Sequence, residues 1–418
     1  MVEPVLQSLL ADGGGITGFV FPNEYELHWG LLIVVYPYLT GLVAGAFILA
    51  SLERVFNVKA LQPIYRLALL TALSFMIIAP LPLLAHLGRP ERALEMFLTP
   101  HTSSAMAMFG FVYAWYLAVV LLLEIWFDYR RDIVQWSKEK KGLARILYLI
   151  LTLGVSDISE KAVKFDHKIG RIITVIGIPS AFLLHGYVGF IFGSIKANPW
   201  WSSVLMPIVF LFSAIVSGIA LVILVYMVTT LFRWKKLNMA CLDKLADLLL
   251  YAVIVDFSLE LLDFVHRLYE SEESINILSE MISSRLFMSL IISQIIIGTL
   301  IPALSIVMAR TRRVNAEMRR ILYFIAALLI QVGIFSTRWN VVIGGQLFSK
   351  SLRGLTVYKL DLMGPEGLLM AIALLVMPFI VLFILTKVLP PWPEGEENDT
   401  PADEADRAKD TLSPVRTS

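Results

Sequence analysis

The sequence predicts an all-α fold, a polytopic transmembrane bundle of about nine spanning helices, and three observations lead there. First, the 418-residue chain is 57% hydrophobic with a mean hydropathy of +0.74, more apolar than a soluble domain that must keep a polar surface. Second, only 17% of its residues are charged, and they gather in short runs. Between the runs lie apolar stretches of about 20 residues, the length that crosses a hydrocarbon core of about 30 Å. Third, these stretches are continuous rather than alternating. Lipid offers the backbone no hydrogen-bond partner, so only helices and closed barrels can span it, and the continuity selects helices.

The N-terminal segment 1–26 carries acidic side chains but no Lys or Arg, unlike a cleaved signal peptide. It is expected to be extracytoplasmic. A transmembrane domain follows over 27–388, with spans expected at 27–52, 65–87, 104–127, 170–194, 204–232, 246–268, 286–309, 320–337 and 366–388. A further apolar stretch, 146–156, is too short to cross and sits among cations, which suits an interfacial or re-entrant helix. The tail 389–418 is acidic and Pro-rich, and is expected to be disordered in the cytoplasm.

Cations set the orientation. Arg54, Lys59 and Arg66, the run from Arg130 to Lys168, Arg233 to Lys244, and Arg310 to Arg320 all fall in alternate loops. The acidic run Glu270, Glu272 and Glu273 falls in the opposite set. The N-terminus is therefore expected outside and the C-terminus inside a bacterial or archaeal cytoplasmic membrane. The loop 338–365, with Arg338, Lys350, Arg353 and Lys359, is the exception on the outer side. It is expected to dock against a partner or fold over the helix ends. Gly41–Gly45 and Gly189–Gly193 are small-xxx-small patterns that let helices approach closely. Net charge is +1, which argues against nucleic acid, and the single cysteine, Cys241, excludes an intrachain disulfide or a cluster ligand set.

Polar groups inside a membrane are expensive and mark candidate sites. In the sixth predicted span Asp256, Glu260, Asp263 and Arg267 share one helical face over roughly 16 Å. A row of carboxylates cannot face lipid, so it must look into the bundle, as a proton path, a cation site or a structural network. Of six histidines, His28, His86, His101, His185 and His266 fall on the expected outer side, and His167 on the inner. Imidazole donates, accepts and titrates near neutral pH, which suits a quinone carbonyl that takes up protons on reduction. Glu24 and His28 would sit one turn apart if the first helix began early enough. A bis-histidine haem would need facing imidazoles. His185 and His266 are the one deep pair, and His266 is near the surface, so neither haem nor metal is expected. His86-Leu-Gly-Arg89-Pro-Glu-Arg92 closes the second span with cations on the outer side.

Three stretches resemble the NrfD/PsrC family, the membrane subunits of polysulfide reductase-type respiratory complexes. They are His28-Trp29-Gly30 with Tyr36 and Gly41–Ala46; Leu87-Gly-Arg89-Pro-Glu-Arg92 with Ser103 and Ser104; and His185-Gly-Tyr187-Val-Gly189 with Pro199-Trp200, Pro207, Ser213 and Gly218. Arg338-Trp-Asn340, Gly344-Gly-Gln346, Tyr358 and Glu366 look like the long members, including HybB-like and DsrP-like subunits. The resemblance implies a quinone or quinol site (menaquinone or ubiquinone) near the outer face, no haem or iron–sulfur cluster in this chain, and an extracytoplasmic ferredoxin-like iron–sulfur partner with further redox subunits. It points to His28, Arg89 and Tyr187. Where the family carries an acid before Leu-Gly-Arg-Pro, this chain has His86.

The expected function is quinol oxidation or quinone reduction near the outer face, with electrons exchanged with the partner. His28, His86, Arg89 and Tyr187 are the candidate catalytic residues. Trp29 and His185 join them in binding, and Asp256, Glu260 and Asp263 form a candidate proton path. The alternative is a proton- or ion-coupled transporter that uses the same carboxylates.

Overall fold

The computed structural model describes residues 16–101, 103–270, 274–311 and 314–392. The start of the N-terminal segment, Glu272 and Glu273, and nearly all of the expected disordered tail lie outside the described residues.

The chain is a helical bundle, and among the described residues eight helices are long and apolar enough to cross a membrane. They are α1 (Leu31–Arg54), α2 (Lys59–His86), α3 (Met108–Glu139), α5 (Glu160–Gly193), α6 (Met206–Phe232), α8 (Phe287–Ala309), α9 (Ala316–Gly344) and α10 (Leu368–Val388). Between them lie the short α4 (Gly142–Leu151) and the 32-residue α7 (Met239–Glu270). The sixth predicted span is α7. It extends about 48 Å, but its carboxylates leave it too polar to count as a span by composition. It packs along α6 instead and turns Asp256 and Asp263 inward. The expectation of about nine spans thus resolves into eight apolar helices and one with a charged, buried face.

The core is built around α1. In α1, 89% of the apolar window is buried, against 22% in α10, which lies at the periphery. The glycine pattern explains how α1 comes to sit there. A Cβ on Gly45 would lie 2.0 Å from the carbonyl oxygen of Ala214 and 2.8 Å from Cα of Gly218, so α1 and α6 touch backbone to backbone. A Cβ on Gly189 would meet the Met206 carbonyl at 2.7 Å, which seats α5 on the start of α6.

One end of the bundle is rich in ion pairs. Arg54 and Arg66 hold Asp128 at 3.0 and 2.8 Å, Arg130 holds Asp166 at 2.6 Å, and Arg310 holds Asp247 at 2.7 Å. There α4 doubles back on α3. Trp126 donates to the Leu151 carbonyl at 2.9 Å, and Tyr148 to that of Val388 at 2.8 Å. Positive φ at Leu153 and Gly154 stops α4 after ten residues, too few to cross.

The other end is closed by a strap. Strands β1 (Thr17–Phe19) and β2 (Arg353–Leu355) pair antiparallel, with Thr17 opposite Leu355. Gly18 has φ +70, and a Cβ there would strike the Arg353 carbonyl at 2.1 Å, so this tight pairing requires glycine. Gln346 and the backbone of Trp29 exchange two hydrogen bonds, at 3.0 and 2.9 Å. The loop after α9 therefore folds over the helix ends, one of its two expected behaviours. Arg338 is not part of that loop. Residues 340–344 continue α9 as a wide helical turn, which places Arg338 inside the bundle with 0% exposure. The expectation failed because a cation at the end of an apolar run reads as a loop residue, whereas Arg338 is satisfied inside the bundle by Ser213 and His185.

Candidate functional site

The predicted residues fall into a rim at the strap end and an interior cluster. On the rim, His86 closes α2 and its Nδ1 lies 2.9 Å from Oε1 of Glu366, 280 residues away at the start of α10. An acid from another segment thus stands beside the histidine of the His86-Leu-Gly-Arg-Pro stretch. A Cβ on Gly30 would contact both Glu366 Oε2 and the Tyr358 hydroxyl at 3.3 Å, so these groups crowd the N-terminus of α1. Tyr358 Oη accepts from the backbone N–H of Leu31 at 3.0 Å. Burial pushes its phenol above the ordinary range, so it stays protonated.

Trp29 stacks on Trp201 at 5.6 Å and meets Phe192 edge-on at 5.7 Å. His28 and Arg89 are exposed. Glu24 and His28 do not sit one turn apart on the first helix, because α1 begins only at Leu31. Glu24 instead accepts from Ser349 Oγ at 2.6 Å and from the Lys350 backbone at 3.1 Å, tying down the strap.

Below the rim, Tyr187 stacks on Phe109 at 5.9 Å, and Phe109 meets Tyr36 edge-on at 5.5 Å. The hydroxyls of Tyr36 and Tyr113 are buried with no hydrogen-bond partner among the described residues. A buried hydroxyl left unpaired costs roughly 1–3 kcal/mol, so an aromatic-walled region between α1, α3 and α5 holds two unspent hydrogen bonds.

His185, read from the sequence as one of a deep pair, is fully buried. Its Nε2 lies 3.1 Å from Nη2 of Arg338, and its Nδ1 lies 3.3 Å from Oγ1 of Thr40. A guanidinium can only donate, so Nε2 accepts and the proton sits on Nδ1. Arg338 also donates to Ser213 at 2.6 Å and lies over the Phe210 ring at 4.2 Å. Its Nε and Nη1 have no hydrogen-bond partner among the described residues. The carboxylates it interacts with electrostatically are Asp256 and Glu260. Glu260 accepts from Gln294 at 3.1 Å and from Thr337 at 3.4 Å, beside a cavity of about 180 Å³ also lined by Asn340 and Trp200. One oxygen each of Asp256 and Asn340 is buried and unpaired among the described residues. Asp263 differs from Asp256 and Glu260, because it is spent on Arg267 and Ser203. Arg267 in turn donates to the Trp200 carbonyl at 2.5 Å.

Sequence reasoning misses four groups. Glu366 and Tyr358 stand in the sequence without a role, since nothing local signals a partner hundreds of residues away. Arg338 reads as a loop residue. Glu124, fully buried in α3, accepts from Thr174 at 2.8 Å and Tyr65 at 3.3 Å, and its other oxygen is unpaired among the described residues. Its signal is present in the chain: a lone acid between apolar residues of a span.

Comparison with known proteins supplies the remaining constraint. Residues 20–350 match the family model described as polysulphide reductase, NrfD. A subunit of the selenate reductase of Mesobacillus selenatarsenatis is 33% identical over 323 residues, covering 75% of this chain and 73% of that protein. Protein NrfD of Escherichia coli is 26% identical over 48% of this chain and 59% of its own length. An Hdr-like menaquinol oxidoreductase integral membrane subunit of Archaeoglobus fulgidus is 22% identical over 77% of this chain and 72% of its own.

Proposed function

We propose a function from one premise: the chain belongs to the NrfD family. Its relatives are membrane subunits of reductase complexes, and this chain is a multi-pass membrane subunit of an oxidoreductase. In our reading it binds a quinol or quinone at the strap end, which faces the outside. The observation that carries this is the His86–Glu366 pair at the head of α1, above the aromatic wall of Tyr36, Phe109 and Tyr187. A relative whose name specifies menaquinol supports the substrate class.

Quinol oxidation releases two electrons and two protons. In this scheme the ring stacks against the aromatic side chains, the free phenols of Tyr36 and Tyr113 hydrogen-bond its oxygens, and the two protons pass one to His86 and one to Glu366. Electrons leave to an extracytoplasmic ferredoxin-like iron–sulfur subunit docked over the strap. Reduction runs the same steps in reverse. His28 and Arg89, exposed on the rim, guide the headgroup or contact the partner, while Trp29 packs on Trp201 and Phe192 and His185 on Phe210. Asp256 and Glu260 serve proton translocation in the interior, while Asp263 anchors α7.

The test is quinol-analogue binding to purified protein, followed by fluorescence quenching. His86→Ala is expected to weaken binding at least tenfold with the fold intact, and His28→Ala and Arg89→Ala less. Unchanged binding in all three variants would remove the site from the rim. Substrate-driven proton flux in liposomes without any partner would favour the transporter instead.

A further inference from the structure

Opposite the strap, α5 presents two tiers on one face. His167, Lys168 and Arg171 form the first tier and are exposed; Ile172, Val175 and Ile176 form the second, at 46%, 49% and 45% exposure. The positions follow i, i+1, i+4, i+5, i+8, i+9, so all six share one side of the helix. Together they line a shallow open groove. Arg171 donates to the carbonyl of Val55, just past the end of α1, which fixes the cation tier at the end of the bundle.

Among the described residues, no acid compensates the cations on this face. Asp166, the nearest acid in sequence, is buried and bound to Arg130 at 2.6 and 2.8 Å. Glu160 lies a turn or more beyond the tier, 3.8 Å from Lys164. Toward the bundle centre the apolar track continues. Leu183, 59% exposed, lies on the same side and joins Phe111, Val112, Trp115 and Ser180 in a second groove between α3 and α5. From Arg171 to Leu183 the helix rises about 18 Å, close to the roughly 15 Å depth of one leaflet's hydrocarbon.

We propose that this face is a binding site for an anionic phospholipid. The headgroup phosphate sits on His167, Lys168 and Arg171, and an acyl chain lies along Ile172, Val175 and Ile176 toward Leu183. Charge complementarity selects an anionic headgroup. The apolar track one turn deeper selects a lipid over a free phosphate, which has nothing to place there.

The experiment is native mass spectrometry of the full-length protein titrated with a dianionic phospholipid, a zwitterionic phospholipid or inorganic phosphate. Three proteins are compared: wild type, a groove variant (His167→Gln, Lys168→Gln, Arg171→Gln) and a control that removes the same two full charges nearby (Lys140→Gln, Lys141→Gln). A fourth, Val175→Trp, fills the apolar track without changing charge. At about fivefold per full cation, the groove variant is expected to lose roughly 30-fold in affinity for the anionic lipid, with the control nearly unchanged. Val175→Trp is expected to weaken lipid binding and leave phosphate untouched. Equal losses in groove variant and control would overturn the proposal in favour of diffuse surface charge. Phosphate binding as tight as lipid, insensitive to Val175→Trp, would overturn the lipid assignment.

Discussion

The rim at the strap end and the interior around Arg338 carry the same residue types and behave as opposites. On the rim, His86 meets Glu366 with side-chain exposures of 24% and 45%, and His28 and Arg89 face outward. In the interior, His185 and Arg338 are fully buried, and Asp256 is 5% exposed. A histidine and a charged partner in water can exchange protons at little structural cost. The same pairing in the core holds the fold and must be satisfied by neighbours. The difference teaches that burial sets how a polar residue can act: rim groups meet water directly, whereas interior groups act only through the neighbours that satisfy them.

The comparison breaks most visibly at Arg338. Arg338→Leu should destabilise the protein by about 1–3 kcal/mol, because the buried His185 Nε2 and Ser213 Oγ lose their donor. Thermal unfolding in detergent reads this directly. If Arg338→Leu unfolds like wild type, the interior is not held by these bonds. Glu366→Gln should act the other way, with stability close to wild type and quinol turnover in the assembled complex down about 100-fold, within the range of general acid–base contributions. A stability loss in place of the turnover loss would make the rim pair structural. Tyr358→Phe removes one hydrogen bond to the start of α1 and should cost about 1 kcal/mol, measured by the same unfolding assay. Arg89→Ala is the smallest case, within about 0.5 kcal/mol of wild-type stability, and any effect should appear only when the partner subunit or quinol is present.

Most of the bundle was legible because continuous apolar length and loop charge are read one residue at a time along the chain. Helix ends were less so. The start of α5 lies ten residues before the predicted span, in a segment of mixed charge that helix α5 carries beyond the apolar stretch. Arg338 was misplaced because a cation reads as a loop residue until its buried partners are known. Of the site, the carboxylates of α7 and the buried His185 could be read, because an ionisable group inside an apolar run stands out. Their roles could not: Asp263 became an anchor only when Ser203 and Arg267 came beside it. Glu366 could not be paired from sequence at all, since its partner lies in another span and only the fold joins them.

The central claim, quinol chemistry at the strap end facing outward, is tested most directly by the sidedness of proton release. The assembled complex is reconstituted in liposomes with one orientation and a pH-sensitive dye on each side, and a single turnover is started with a menaquinol analogue. The account predicts that the protons of quinol oxidation appear first on the side carrying the strap, and that this signal is lost in Glu366→Gln. Release on the opposite side, with Glu366→Gln indistinguishable from wild type, would contradict it.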